Sequence, residues 1–221
     1  MAIKAIIWDF DGTLASSLEG IFSSMSETLK TYGYPAPTLE EVRATVGLTL
    51  EESMRRLSHN KCTDEQIPEL VAKYRSLHES NAAPLTKLFN GTQDVLSEIR
   101  EKGVTSIVVS NKGRHGLNQL IEQLELQRQF DIILSAQDVE YRKPDPRLYS
   151  AHIAPLLAVS GPDEVLVVGD TESDIRFAHD AGLSVCWARY GYGDHAVCRG
   201  LNPTHTITSI TEVMDTIASY S

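Results

Sequence analysis

Short apolar runs rich in β-branched residues recur along the chain and predict buried strands. Four runs are almost wholly apolar and a fifth is weaker: Ala5–Trp8, Ser106–Val109, Ile132–Leu134, Val165–Val168 and, more weakly, Leu183–Ala188. Runs without alternating polar residues are typical of strands buried on both faces of a parallel sheet.

Apolar residues between these runs recur at the three- and four-residue spacing of a helix face. The spacing occurs after Thr92, from Leu117 to Leu124, from Ile175 to Ala181 and from Ile210 to Ile217. Strands that alternate with helices predict an α/β fold, a Rossmann-like, doubly wound parallel sheet.

Residues 16–84 interrupt this alternation, because they contain several helical patterns in succession and no strand-like run. Ile21, Met25 and Leu29 share one helix face, and Thr49 with Glu52 forms a candidate capping box before another helix. We therefore expect an inserted α-helical domain at residues 15–84, and a catalytic core formed by residues 1–14 and 85–221.

Charge and composition narrow the classes of partner. The 221 residues carry 20 Lys and Arg against 30 Asp and Glu, a formal net charge of −10, which argues against nucleic acid and anionic membranes as partners. No apolar stretch approaches the ~18 residues of a membrane span, and the N-terminus does not resemble a signal peptide.

The three cysteines form no CxxC pair. We expect a cytoplasmic protein that is a monomer or a homodimer.

Polar residues follow the predicted strands where each strand ends. They are Asp9-Phe10-Asp11-Gly12-Thr13, Ser110-Asn111-Lys112, Asp170 to Asp174 and, after a short loop, Lys143. Ligands of open α/β sheets bind at the carboxyl ends of the strands, so these side chains are expected to converge on one edge.

The predicted edge has the chemistry of a metal-assisted phosphate site. Several carboxylates stay ionised close together only if a cation is present, and oxygen ligands without His or Cys favour Mg²⁺. A lysine and a hydroxyl suit the oxygens of a phosphoryl group. Gly12 allows a tight turn whose N–H groups bind an anion.

The four motifs DFDGT, SN, KP and GDTESD, in this order, resemble those of the haloacid dehalogenase superfamily of phosphohydrolases. The helical insertion resembles the superfamily's helical cap of the first type. The strings VVSNK, YRKPDPRLY and VGDTESDI are similar to the phosphoglycolate phosphatase branch. Ser16 departs from the pattern, because many relatives carry an aspartate there.

The resemblance implies a role for each matching residue. Asp9 would be the nucleophile that forms an aspartyl phosphate, and Asp11 the acid toward the leaving oxygen and then the base toward water. Mg²⁺ would be held by Asp9, Asp170 and the backbone carbonyl of Asp11, with Asp174 in support. The remaining residues would hold or orient the substrate, a small phosphorylated metabolite: Ser110, Lys143, Thr13, Asn111, Lys112 and, from the cap, Arg43 and the turn at Gly47.

Other functions stay open at this point. A phosphomutase or a pyrophosphatase would use the same fold and motifs. A non-catalytic phosphoaspartate switch is the alternative from another class, and the two-residue spacing of Asp9 and Asp11 argues against it. Gly191 to Ala196 fits the dinucleotide pattern GxGxxA, but Gly200 and Pro203 predict a loop over residues 197–204 where a helix should begin.

Overall fold

The computed structural model describes residues 2–220, apart from the side chains of residues 82 and 83. Eight strands lie in this part of the chain: β1 (Ala5–Trp8), β2 (Ala15–Ser16), β3 (Lys87–Leu88), β4 (Thr105–Ser110), β5 (Ile132–Ser135), β6 (Val165–Gly169), β7 (Ser184–Ala188) and β8 (His205–Ile207). Six of them form one parallel sheet in the order β5-β4-β1-β6-β7-β8. The predicted doubly wound α/β fold is confirmed.

The central strand β1 explains where a ligand can bind. Ile7 pairs with Ile107 of β4 on one side and with Val167 of β6 on the other. The chain builds the sheet outward from β1 through β4 and β5, then returns to β6 and builds the other half. The order therefore reverses between β1 and β6, which is the place where open α/β sheets form a ligand crevice.

Helices cover both faces of the sheet. The described α-helices are α1 (Leu18–Thr31), α2 (Leu39–Arg43), α3 (Leu50–Leu57), α4 (Ile67–Leu85), α5 (Thr92–Glu101), α6 (Arg114–Gln123), α7 (Glu172–Asp180), α8 (His195–Gly200) and α9 (Val213–Ala218). Ile6 and Trp8 pack into the cluster under α5, α6 and α9, whereas Ala5 and Ile7 pack into the cluster under α7. Both sets of side chains in β1 are buried, so the strand shows no polar alternation.

Helices α1–α4, which we call the cap, lie between β2 and β3 and bury a hydrophobic cluster of their own. Ile21, Met25 and Leu29 of α1 contribute to that cluster, and α1 packs chiefly against α4. Thr49 Oγ1 accepts from the N–H of Glu52 at 3.2 Å, which gives half of the predicted box. The complete capping box lies at the start of α2. Of the described helices, none has the length and apolarity that crossing a membrane requires.

The expected loop over residues 197–204 is wrong in its first half, because α8 extends to Gly200. Asp194 Oδ1 accepts from the N–H groups of Ala196 and Val197, at 2.8 and 2.9 Å, and this cap starts the helix despite the glycine near its end. The same bonds occupy the N–H groups that a dinucleotide phosphate would need. Dinucleotide binding is therefore disfavoured because the Asp194 side chain occupies the first N–H groups of α8, and not because a helix is missing.

Candidate active site

The carboxyl ends of β1, β4 and β6 bring the predicted polar residues to one edge. The N–H of Asp9 still donates to Val168 O at 2.9 Å, so the pairing of β1 with β6 extends to the first aspartate. Asp9 and Asp11 are 7% and 8% exposed, and Asp170 is fully buried. Lys143 reaches the same edge from the loop after β5. The sequence-predicted convergence is therefore seen in the structure.

Three of the buried carboxylates form a cluster, and two of them bind the same lysine. Lys143 Nζ donates to Asp9 Oδ1 at 2.6 Å and to Asp174 Oδ1 at 2.7 Å. Oxygens of Asp9, Asp170 and Asp174 all lie within 4.8 Å of one another. The cluster contains three carboxylates and one paired ammonium, so it keeps an excess of negative charge when all three carboxylates are ionised.

The pKa values of these groups reflect burial and mutual repulsion. Burial raises the pKa of the Asp9 carboxyl to about 7 even though the Lys143 ammonium lowers it. Burial, together with the charges of Asp9 and Asp174, raises the pKa of Asp170 well above its ordinary value. A cation bound among these oxygens would reverse that effect, because it favours the ionised form of each carboxyl.

Asp170 is held in a fixed orientation by two donors. Thr13 Oγ1 donates to Asp170 Oδ1 at 2.9 Å, and the N–H of Tyr192 donates to Oδ2 at 2.6 Å. The donor set consists of oxygen atoms with a net negative charge, which fits a hard divalent cation such as Mg²⁺. The Asp11 side chain is not one of the three clustered carboxylates, so a role for Asp11 in holding the metal falls to its backbone carbonyl.

Asp11 forms a second buried ion pair beside the first. Lys112 Nζ lies 3.0 Å from Asp11 Oδ2 and 3.3 Å from Oδ1. Burial alone would raise the pKa of the Asp11 carboxyl, but Lys112 and hydrogen bonds bring that pKa below its ordinary value. Asp11 is therefore ionised in this arrangement, with its charge balanced by Lys112.

Two glycines allow the backbone to approach Asp170 closely. Gly12 has a φ of +87°, and a Cβ placed on it would lie 2.3 Å from Asp170 Oδ2. A Cβ on Gly191, in the loop after β7, would lie equally close to that carboxylate, at 2.3 Å. Both positions therefore require glycine for the carboxylate to keep its place.

A cavity of about 120 Å³ lies between this edge and the cap. That is roughly ten times the space that one water molecule needs. The predicted site residues that line it are Asp9, Asp11, Gly47, Ser110, Asn111, Lys112, Lys143 and Asp174. Thr13 and Asp170 do not line the cavity, but an Asp170 oxygen lies within 4.8 Å of oxygens of Asp9 and Asp174, which do.

The Gly47 turn of the cap contacts the core at Asn111. Asn111 Nδ2 donates to Gly47 O at 2.9 Å and to Lys143 O at 3.0 Å. Gly47 has a φ of +94°, and a Cβ on it would lie 2.9 Å from Thr171 Oγ1. The turn therefore closes one side of the cavity by direct contact with the polar edge of the sheet.

A family model described as haloacid dehalogenase-like hydrolase matches residues 6–188. The chain belongs to this family. A pyrophosphatase, PpaX, from Anoxybacillus flavithermus is 30% identical over 194 residues, which cover 86% of this chain and 87% of that protein. Phosphoglycolate phosphatase 1 from Pseudomonas aeruginosa is 25% identical over 218 residues, which cover 96% of this chain and 78% of that protein.

Solved structures agree with the haloacid dehalogenase-like assignment. A hydrolase of this family from Streptococcus pneumoniae superposes with a TM-score of 0.82 and 26% identity, covering 97% of this chain and 98% of that one. The resemblance inferred from the four motifs is therefore confirmed, and the likeness extends over both the sheet and the cap.

Arg43 is the sequence-predicted site residue that the structure places elsewhere. Its Nε donates to Tyr192 O and its Nη2 to Gly191 O, both at 3.2 Å. Arg43 is not among the residues that line the cavity. The structure therefore does not bring Arg43 to the cavity: α2 ends at Arg43, and from there the side chain reaches the core loop after β7.

The departure at Ser16 also lies outside the cavity. Ser16 is exposed in β2, where it pairs with Lys87 of β3 at the point where the chain enters and leaves the cap. The departure therefore lies at the connection between cap and core and not among the residues that line the cavity.

No site role was predicted for Tyr192 or His78. Tyr192 accepts with its hydroxyl from the N–H groups of Ser17 and Leu18, at 2.7 and 3.1 Å, and so holds the start of α1. His78 of α4 lines the cavity and is 5% exposed. Burial and the charge of Lys112 lower the pKa of His78 to about 3, so its ring is neutral.

Proposed function

We propose that the chain is a Mg²⁺-dependent phosphatase that hydrolyses a small phosphorylated metabolite through an aspartyl phosphate. The observation that carries the proposal is the pair of buried carboxylates on one turn, Asp9 beside Lys143 and Asp11 beside Lys112. Membership of a hydrolase family with phosphatase-named relatives supports it.

The proposed reaction has two displacements at phosphorus. In the first, a carboxylate oxygen of Asp9 attacks phosphorus, the bond to the leaving oxygen breaks, and that oxygen takes a proton from Asp11. In the second, Asp11 accepts a proton from water, the water oxygen attacks phosphorus, and the bond to Asp9 breaks to release inorganic phosphate. Each step uses Asp11 in the protonation state that the previous step leaves.

The ion pair of Asp11 with Lys112 fits the second step directly, because it keeps Asp11 ionised as a base. For the first step Asp11 must carry a proton. A bound phosphoryl dianion competes for the ammonium of Lys112, and withdrawal of that ammonium raises the pKa of Asp11 toward the acid form.

The remaining edge residues hold the phosphoryl group. Ser110 Oγ already accepts from the N–H of Lys112 at 3.1 Å, so its proton is available to a phosphoryl oxygen. Lys143 supplies a positive charge beside the nucleophile. Mg²⁺, held by Asp9, Asp170 and the Asp11 carbonyl with Asp174 in support, would neutralise charge on the phosphoryl oxygens. Asn111 and Thr13 orient the loop and the carboxylate they contact.

The helical insertion, residues 15–84, acts in this proposal as a cap that encloses the substrate. The contact of Asn111 with Gly47 and that of Arg43 with the loop after β7 hold the cap against the core. Enclosure limits the waters that can reach the aspartyl phosphate, and opening releases the product.

Release of inorganic phosphate from a panel of monoesters and from pyrophosphate tests the proposal. We expect turnover that requires Mg²⁺ and that Asp9→Asn abolishes. Glu98→Gln is the matched control, because Glu98 is an exposed carboxylate on α5, remote from the site. No turnover of any phosphate compound by the wild-type protein, or full turnover by Asp9→Asn, would contradict the proposed function.

A further inference from the structure

The cap side of the cavity combines six apolar side chains with the buried Thr45, Ser53 and His78, and its charged residues Arg75 and Glu79 are exposed, whereas the core side carries buried charge. The apolar residues that the cap contributes are Ile21, Met25, Val46, Leu48, Leu50 and Tyr74. The phosphoryl group has its partners on the core edge, so the rest of the substrate faces this apolar wall. The chemistry of the wall therefore bears on which leaving group the site accepts.

Among the residues that the structure describes, the cationic side chains that line the cavity are either paired with buried carboxylates or exposed to solvent. Lys112 and Lys143 pair with the carboxylates of the core edge. His115 lies 3.4 Å from Glu79, with its side chain 74% exposed, and Arg75 is exposed. Solvent screens such exposed charges, so they give little support to an anion held deep in the cavity.

Among the described cap residues that line the cavity, His78 is the one with a buried polar atom that lacks a hydrogen-bond partner. Its Nδ1 lies 3.4 Å from Ser24 Oγ, and its ring stacks on Tyr74 with centroids 5.0 Å apart. Its Nε2 is buried and has no hydrogen-bond partner in the described structure. A buried donor or acceptor without a partner is costly, and a ligand oxygen at this position would remove the cost.

We infer that the leaving group of the substrate is uncharged, with an apolar portion against Leu48 and Leu50 and a hydroxyl oxygen that bonds His78 Nε2. The inference rests on the proposed phosphatase function and narrows its substrate class. It disfavours phosphoglycolate and pyrophosphate, the compounds in the names of the relatives. Each would place a second anionic group against the apolar wall without a buried cation beside it.

The first test compares kcat/KM of the wild-type protein for butyl phosphate, 2-hydroxybutyl phosphate, phosphoglycolate and pyrophosphate. We expect the two neutral esters to exceed the two anionic substrates by about tenfold or more. Equal or higher kcat/KM for phosphoglycolate or pyrophosphate overturns the inference and leaves the proposed phosphatase function standing. Absence of turnover on all four substrates would defeat both.

The second test addresses His78 through a ratio of substrates, which a general loss of folding does not change. His78→Leu removes the ring nitrogen, and we expect the ratio of kcat/KM for 2-hydroxybutyl phosphate over butyl phosphate to fall about tenfold. His78→Gln keeps a polar group and should restore part of the ratio. An unchanged ratio in His78→Leu contradicts the assigned contact.

The third test supplies the missing cation. Leu48 and Leu50 are half-buried in the lining, so an arginine at either position can place its charge in the cavity. We expect Leu48→Arg or Leu50→Arg to raise the ratio of phosphoglycolate over butyl phosphate turnover about tenfold. Leu39→Arg is the matched control, because Leu39 is 47% exposed and outside the cavity. An unchanged ratio in both lining variants contradicts the inference.

Discussion

Arg43 of the cap and Tyr192 of the core meet through a hydrogen bond of 3.2 Å, from the arginine Nε to the tyrosine backbone oxygen. The N–H of the same Tyr192 donates to Asp170 Oδ2 at 2.6 Å. The cap and a carboxylate of the candidate metal site therefore contact the same residue, one at its backbone carbonyl and the other at its backbone N–H. The position of the cap and the position of Asp170 are coupled through that residue.

Arg43→Ala is expected to lower kcat/KM about equally for all substrates. The variant removes two charge-assisted bonds that dock the cap, a loss of about 1–2 kcal/mol or roughly tenfold in kcat/KM. Arg56→Ala is the control, since Arg56 is exposed on the same cap. Steady-state kinetics on butyl phosphate and phosphoglycolate measure the effect. A loss confined to phosphoglycolate would restore Arg43 as a substrate contact.

Removal of divalent cations is expected to abolish turnover, and added Mg²⁺ to restore it. The reason is the excess negative charge of the cluster of Asp9, Asp170 and Asp174, in which Lys143 pairs with Asp9 and Asp174 alone. Ca²⁺, which is larger and tolerates higher coordination, should bind and support little turnover. Phosphate release and the melting temperature, each followed with both ions, check this. Full activity in excess chelator would be incompatible with the metal site.

Asp9→Asn and Asp11→Asn are expected to be nearly inactive for different reasons. The first variant lacks the nucleophile, so no phosphoenzyme forms, and kcat falls by about a thousandfold or more. The second keeps the nucleophile and lacks the acid and base. With 4-nitrophenyl phosphate, whose leaving group needs no proton, only Asp11→Asn should accumulate phosphoenzyme. Mass spectrometry of the quenched protein detects it. A labelled aspartate in Asp9→Asn would show that the nucleophile is another residue.

The buried Asp9 is expected to make the metal-free protein less stable as the pH rises. Its pKa is raised to about 7 in the folded protein. Between its ordinary value and about 7, the folded state holds a proton that the unfolded state has lost. The free energy of unfolding therefore falls with pH in this window, by up to about 1.4 kcal/mol per pH unit.

The pH dependence that Asp9 gives to the free energy of unfolding can be separated from that of other titrating groups by comparing the wild-type protein with Asp9→Asn. In chelator, the stability of Asp9→Asn relative to the wild-type protein should increase as the pH rises from about 4 to about 7. Urea denaturation at several pH values in this range measures it. Excess Mg²⁺ should flatten the difference, because the cation favours the ionised carboxyl. A difference that stays constant with pH in chelator would mean that Asp9 is ionised throughout.

The catalytic edge could be predicted from sequence because its position follows from local patterns. An apolar run marks β1, and parallel pairing with β4 and β6 brings the residues after each strand to the same edge. Asp9, Ser110 and Asp170 therefore converge without any knowledge of side-chain packing. The strand β8, with three residues, is too short for such a pattern and was not predicted.

The cap contacts could not be predicted in the same way. The sequence places Arg43 in the helical insertion, but it does not show which surface of the core the Arg43 side chain meets. The neutral, buried state of His78 likewise depends on α4 packing over Lys112, a relationship between residues 34 positions apart. Contacts between the cap and the core depend on the shapes of the two packed surfaces, and the spacing of apolar residues along the chain does not indicate those shapes.

The antiparallel pair β2–β3 has a consequence for how this architecture can diversify. Ala15 pairs with Leu88 and Ser16 with Lys87, so the chain departs from the sheet and rejoins it at neighbouring points. Everything between the two crossings can be lengthened, exchanged or replaced by a tight turn without altering the register of the six parallel strands. A different cap can therefore be inserted at the β2–β3 pair while the polar edge of the sheet stays the same. Substitutions in the cap and substitutions in the core can then be selected independently.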